Sequence, residues 1–108
     1  MNTGKNVIGV DDASFDREVL QGELPVLVEF FAPWCGPCKT LAPIVERVAA
    51  EAAGRLKVVA IDISASPETL RRYAIRGAPT LLVFRNGQKI AQHRGATTRE
   101  RLLQIIAS

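Results

Sequence analysis

The six residues Val26-Leu27-Val28-Glu29-Phe30-Phe31 constrain the fold of this chain more than any other segment. A near-continuous apolar run of β-branched and aromatic residues marks a strand covered on both faces, as in parallel sheets with helices on either side. A strand with one wet face would alternate instead. The run is not a membrane span, because Glu29 and Pro33 interrupt it well short of the ~18 apolar residues that a span needs.

Around this strand the pattern alternates. Val7 to Val10 reads as a first strand. Asp11 and Asp12 cap a short helix from Ala13 to Leu20, with acidic residues in its first turn. From Cys35 to Ala53 the period turns helical, with Leu41, Ile44, Val45, Val48, Ala49 and Ala52 in one stripe. Pro43 should kink that helix, since it lacks a backbone donor, and Gly54 stands where a left-handed terminator belongs. Leu56 to Ile63 is a second buried strand. Ser66-Pro67-Glu68 starts a helix with a capping hydroxyl, and that helix stops by Gly77.

Thr80 to Phe84 is a further strand. Asn86-Gly87 turns the chain back into Lys89 to Arg94, because a type I′ hairpin needs positive φ at both positions. Thr97-Thr98-Arg99-Glu100 is a capping box, and Leu102, Leu103, Ile105 and Ile106 give the last helix its apolar face. The expected class is α/β: a mixed, mostly parallel sheet of about five strands flanked by about four helices. With 108 residues, 47% hydrophobic and 23% charged, the expected organisation is one domain over residues 1–108. After Lys5 only four apolar residues precede Asp11-Asp12, too few for a secretory signal, so a cytoplasmic location is expected.

Cys35 and Cys38 are the only cysteines. A structural disulfide closing so short a loop would add only ~2 kcal/mol in the chain-entropy picture. A structural zinc site wants four ligands; this pair supplies two, and the one histidine, His93, is distant in sequence. Redox chemistry is the strongest reading of the spacing. The pair falls where the Val26–Phe31 strand hands over to the long helix, at a carboxyl edge where α/β sheets place ligands. There Cys35 meets unpaired N–H groups and the positive end of the helix dipole, which favour a thiolate, with Lys39 one turn on adding a small pull. Cys38, under the first turn, is placed to attack the Cys35 sulfur.

Trp34-Cys35-Gly36-Pro37-Cys38-Lys39 resembles the active-site segment of the thioredoxin family. Phe30-Phe31-Ala32, Leu41-Ala42-Pro43, Arg76-Gly77-Ala78-Pro79-Thr80, Asn86-Gly87 and Gly95-Ala96 extend the likeness over essentially the whole chain. The resemblance implies a protein-disulfide reductase that maintains cell redox balance. Cys35 would attack a client disulfide, and Cys38 would resolve the mixed disulfide and leave Cys35–Cys38 oxidised. It implies a cis Pro79 that holds a client strand beside Cys35, with Trp34, Gly36, Pro37, Ala78, Arg94 and Gly95 shaping the contact surface. It further implies a monomer without bound cofactor or metal, receiving electrons from NADPH through a flavoprotein reductase. Gly36-Pro37 between the cysteines lacks the histidine cation found in many oxidising relatives, which favours a reductant. The alternatives are an oxidase or isomerase of the same fold, or a redox-independent binding or chaperone module.

Several positions depart from the family pattern. Glu29 stands where these proteins usually bury an aspartate; a buried carboxyl with a raised pKa suits proton transfer to or from Cys38. Ala60 replaces the lysine that often accompanies that acid, Phe31 replaces a tryptophan, and Arg94 replaces a small apolar groove residue. His93 is expected on the surface. Charge is lopsided: residues 1–54 carry 4 basic and 8 acidic side chains, residues 55–108 carry 10 and 3, giving −4 and +7 within a total of +3. The basic half lacks aromatic interleaving or a nucleic-acid motif, so acidic protein partners are expected rather than nucleic acid, and no membrane.

Overall fold

The apolar run forms β2 (Val26–Phe31), the middle strand of a five-stranded sheet. A computed structural model describes residues 4–108. On one side of β2 lie β3 (Lys57–Asp62) and then β1 (Ile8–Val10), both parallel to their neighbours. On the other lie β4 (Thr80–Arg85), antiparallel to β2, and β5 (Gln88–Arg94), antiparallel to β4. Four strands therefore point one way and β4 runs against them. All six residues of β2 are buried, as its composition requires.

Four helical segments cover the sheet: α1 (Asp16–Leu20), α2 (Gly36–Glu51), α3 (Pro67–Arg72) and α4 (Arg99–Ile106). Strand alternation divides the core into two layers. Leu27, Phe31, Val58, Ala60, Leu81 and Val83 pack against Leu41, Val45 and Val48 of α2 and Leu102 and Ile105 of α4. Val26, Val28, Phe30, Val59, Ile61 and Leu82 face the other way, toward Val19 and Leu70. Phe15, Tyr73 and Phe84 close that second layer with ring centroids 5.3 to 5.9 Å apart, a spacing in the range where aromatic edges and faces attract.

The hairpin turn forms as its sequence demands: Asn86 has φ 53° and Gly87 φ 78°. A Cβ at Gly87 would also come within 3.2 Å of the Leu20 carbonyl oxygen. Near the turn, a register shift between Val83 and Phe84 bulges the exposed edge strand β5.

Three helix ends differ from the sequence expectation. α1 is a single wide turn of π type, without a side-chain cap at Phe15. Asp11 instead closes a turn with Ser14, accepting its N–H at 3.0 Å and its hydroxyl at 3.1 Å. Ser66 does not cap α3. Asp12 does, reaching across the fold to accept the N–H groups of Glu68 at 3.1 Å and Thr69 at 2.9 Å, and the Thr69 hydroxyl at 2.7 Å. α3 also ends early: Ala74 takes φ 53°, while its N–H bonds the Arg71 carbonyl and the Ile75 N–H bonds the Leu70 carbonyl. This is a Schellman terminus with alanine in the glycine position. Pro43 leaves α2 one unbroken element. The proline and Lys39, whose carbonyl loses its donor, both lie on the exposed face of the helix, where water can serve that carbonyl.

Candidate functional site

β2 ends at Phe31, and the chain turns tightly as the Cys35 N–H bonds the Ala32 carbonyl at 3.1 Å. Cys35 keeps an extended backbone (φ −87°, ψ 111°) and occupies the N-cap of α2, with Pro37 in the first turn where its missing N–H costs nothing. The Cys35 sulfur accepts the Cys38 N–H at 3.1 Å, so sulfur replaces the oxygen that usually caps a helix. Cys35 and Cys38 are joined by a disulfide, with Cα atoms 5.2 Å apart. Cys35 is partly exposed; Cys38 has no exposed surface and sits in the layer under α2.

The segment before β4 faces this pair. The Ala78–Pro79 peptide bond is cis, and the Ala78 carbonyl oxygen lies 3.6 Å from the Cys35 sulfur. Two bonds fix the segment: the buried Thr80 hydroxyl donates to the Gly77 carbonyl at 2.8 Å, and the Gly95 N–H donates to the Pro79 carbonyl at 2.8 Å. Residues 76–80 with Arg94 and Gly95 line a groove of about 250 Å³. Trp34 stands before the pair with 72% of its surface exposed. A large apolar ring held in water beside the disulfide is available for contact with another chain.

Beneath lies Glu29, with no exposed surface. It pairs in register with Ala60 on β3 and Leu81 on β4, and shares the face that Leu27 and Phe31 present to Cys38 and α2. Ala60 brings no charge to that face. Lys57, three residues earlier in β3, alternates to the opposite face and forms an ion pair with Glu18. Hydrogen bonds from Lys57 first, then Arg17, hold the Glu18 carboxyl below the usual carboxylate range.

The fold thus gathers Cys35, Cys38, Ala78, Pro79, Arg94 and Gly95 at one end of the sheet, with Glu29 below. Two residues were missed from sequence. Arg76 lines the groove but reads as an ordinary loop cation, and Thr80 fixes the proline segment from a position that reads only as a strand start. His93 is not simply a surface residue. Its register with Leu81 turns it toward the α4 layer, where it is half-buried and its Nε2 is enclosed without a hydrogen-bond partner. Among the described residues no group of three or more His, Cys, Asp or Glu side chains is placed to share a metal ion, and no helix is long and apolar enough to cross a membrane.

A disulfide closed between two neighbouring cysteines, only one of which meets solvent, has the arrangement of a thiol–disulfide exchange centre. A family model described as Thioredoxin matches residues 6–108. Similar proteins include a thioredoxin from Acidithiobacillus ferridurans, 46% identical over 102 residues and covering 94% of each chain. A thioredoxin from Synechocystis sp. is 45% identical over 97 residues, 90% of this chain and 91% of that relative. Thioredoxin 1 from Nostoc sp. is 42% identical over the same coverage. The chain belongs to the thioredoxin family.

Proposed function

We propose that this protein reduces disulfides in client proteins, with Cys35 as nucleophile and Cys38 as resolving thiol. In the reduced protein the Cys35 thiolate attacks one client sulfur; the client S–S bond breaks, a mixed disulfide forms, and the first client sulfur leaves as thiolate and takes a proton. Cys38, deprotonated, then attacks the Cys35 sulfur. The mixed disulfide breaks, the second client thiolate leaves, and the Cys35–Cys38 bond closes. Two electrons pass to the client.

The 3.1 Å approach of the Cys38 N–H to the Cys35 sulfur carries this reading. In the reduced protein the same donor, with the positive end of α2, favours negative charge on Cys35. Glu29 is proposed to take the Cys38 proton as resolution proceeds. Trp34, Ala78, Pro79 and Gly95 are proposed to hold the client strand, with Gly36 and Pro37 shaping the turn. Gly36-Pro37 offers the thiolate no cation, which supports reduction over oxidation or isomerisation.

Further proposals follow from the family. Residues 1–108 act as one domain, as a monomer in the cytoplasm, on disulfide-containing clients rather than nucleic acid or membrane. Oxidised protein is recycled by a flavoprotein reductase drawing on NADPH. The test is NADPH oxidation coupled through such a reductase to a model protein disulfide, with Cys35→Ser as control. Turnover that depends on Cys35 supports the reading; absence of turnover in the unaltered protein refutes it.

A further inference from the structure

The charge asymmetry of the sequence is largely settled inside the fold. Ion pairs join the acidic first half to the basic second half: Lys57 with Glu18, Arg72 with Asp16, and Arg99 with Glu51. Arg55 and Arg85 donate to helix-end carbonyls, Lys89 and Arg101 to glutamine side chains, and Arg71 lies near the Asp12 carboxylate. Of the ten second-half cations, three make no hydrogen bond or ion pair among the described residues: Arg71, which lies near Asp12, and Arg76 and Arg94. The last two line the groove beside Pro79.

Their placement follows from the strands. Arg94 stands at the end of β5 opposite Thr80, which in turn faces Phe30 near the end of β2. Two strand spacings, roughly 10 Å, therefore separate Arg94 from the strand that leads to Cys35. Lys39, exposed on α2, adds a third cation at this end. Asp62, at the end of β3 beside Phe31, accepts the Ser64 N–H and hydroxyl at 2.9 and 2.6 Å.

We propose that Arg76 and Arg94 form an anion-selecting subsite, so that the protein prefers disulfides flanked by glutamate or aspartate in the client chain. This rests on the reductase reading above. The groove supplies two positive charges with no partner among the described residues, and the complementary ligand is a peptide carboxylate. Guanidinium groups suit this task, since they remain charged and present paired donors to a carboxylate.

The test uses three disulfide peptides identical except for Glu, Gln or Lys at the positions flanking the cysteine. The second-order rate of their reduction by the dithiol protein is followed chromatographically. At low ionic strength the Glu peptide should react about fivefold faster than the Gln peptide, the scale of two exposed charge contacts, and the Lys peptide slower than both. The advantage should shrink at high salt. Arg94→Gln should cut the Glu-to-Gln ratio to about twofold and Arg76→Gln with Arg94→Gln should bring it near one, whereas Arg94→Lys should keep most of it, and Lys89→Gln, at the far end of β5, should keep all of it. Equal rates for the Glu and Gln peptides overturn the proposal, as does a ratio that survives the loss of both arginines or falls equally with Lys89→Gln. Failure to reduce even the Gln peptide would instead overturn the reductase reading beneath it.

Discussion

Asp12 and Thr69 are 57 positions apart, yet one carboxylate oxygen of Asp12 accepts both the N–H and the hydroxyl of Thr69. This contact ties the segment after β1 to the start of α3. Partial burial raises the Asp12 pKa, but the bonds from Thr69 and Glu68, helped by Arg71, outweigh it and leave the carboxyl below its ordinary value of 3.8. The carboxylate therefore contributes stability that is complete above that value and lost as pH falls through the lower folded one. Asp12→Ala should cost about 1 kcal/mol at neutral pH, the usual scale for an N-cap. Urea unfolding of both proteins should show the gap closing in acid below the ordinary value. A gap constant down to pH ~3 would show that the carboxylate charge contributes nothing.

Ala74 holds a left-handed backbone at the end of α3, a conformation that costs an L-residue roughly 1–2 kcal/mol. Ala74→Gly removes that cost and adds backbone freedom to the unfolded chain, so a net gain of about 0.5 kcal/mol is expected. The thermal midpoint should rise by a few degrees. A lower midpoint would mean that the alanine methyl makes a contact that outweighs the strain.

Cys35→Ser should keep a capping acceptor for the Cys38 N–H and so unfold near the midpoint of the reduced parent, while disulfide reduction falls to background. Cys38→Ser should accumulate client proteins joined through Cys35, visible as thiol-sensitive adducts on non-reducing gels. Adducts that form equally well through Cys38 in the Cys35→Ser protein would reverse the assigned roles.

Glu29 is enclosed among apolar residues on the Cys38 face of the sheet, and Ala60 supplies no compensating charge. Glu29→Gln keeps shape and hydrogen-bonding capacity but cannot carry a proton. Stopped-flow measurement should show resolution of a preformed mixed disulfide slowed about 100-fold, within the range of general acid–base effects, with initial attack little changed. Resolution at the parent rate would exclude Glu29 from proton transfer.

The sequence makes the central strand, the Asn86-Gly87 hairpin and the Thr98 cap of α4 legible, because each is decided by residues within a few positions of one another. The Thr98 hydroxyl accepts the Arg101 N–H at 3.1 Å, as the capping box requires. The cysteine pair is legible for the same reason: spacing alone puts one sulfur at a helix start. Asp12 capping α3 is not legible, since its partners are remote and the adjacent Ser66 is the better local candidate. The early stop at Ala74 is hidden because alanine is a strong helix former and only the Schellman bonds reveal its left-handed turn. Arg76 and His93 take their importance from what lies across the groove or the sheet, which a linear reading does not contain.

Phe31 fills a core position with a ring that carries no indole, which leaves Trp34 as the sole tryptophan, standing in solvent beside the disulfide. Every photon of indole emission from this protein thus originates one residue from Cys35. A fluorimeter trained on it would watch the dithiol open, dock and close, undisturbed by background from the interior.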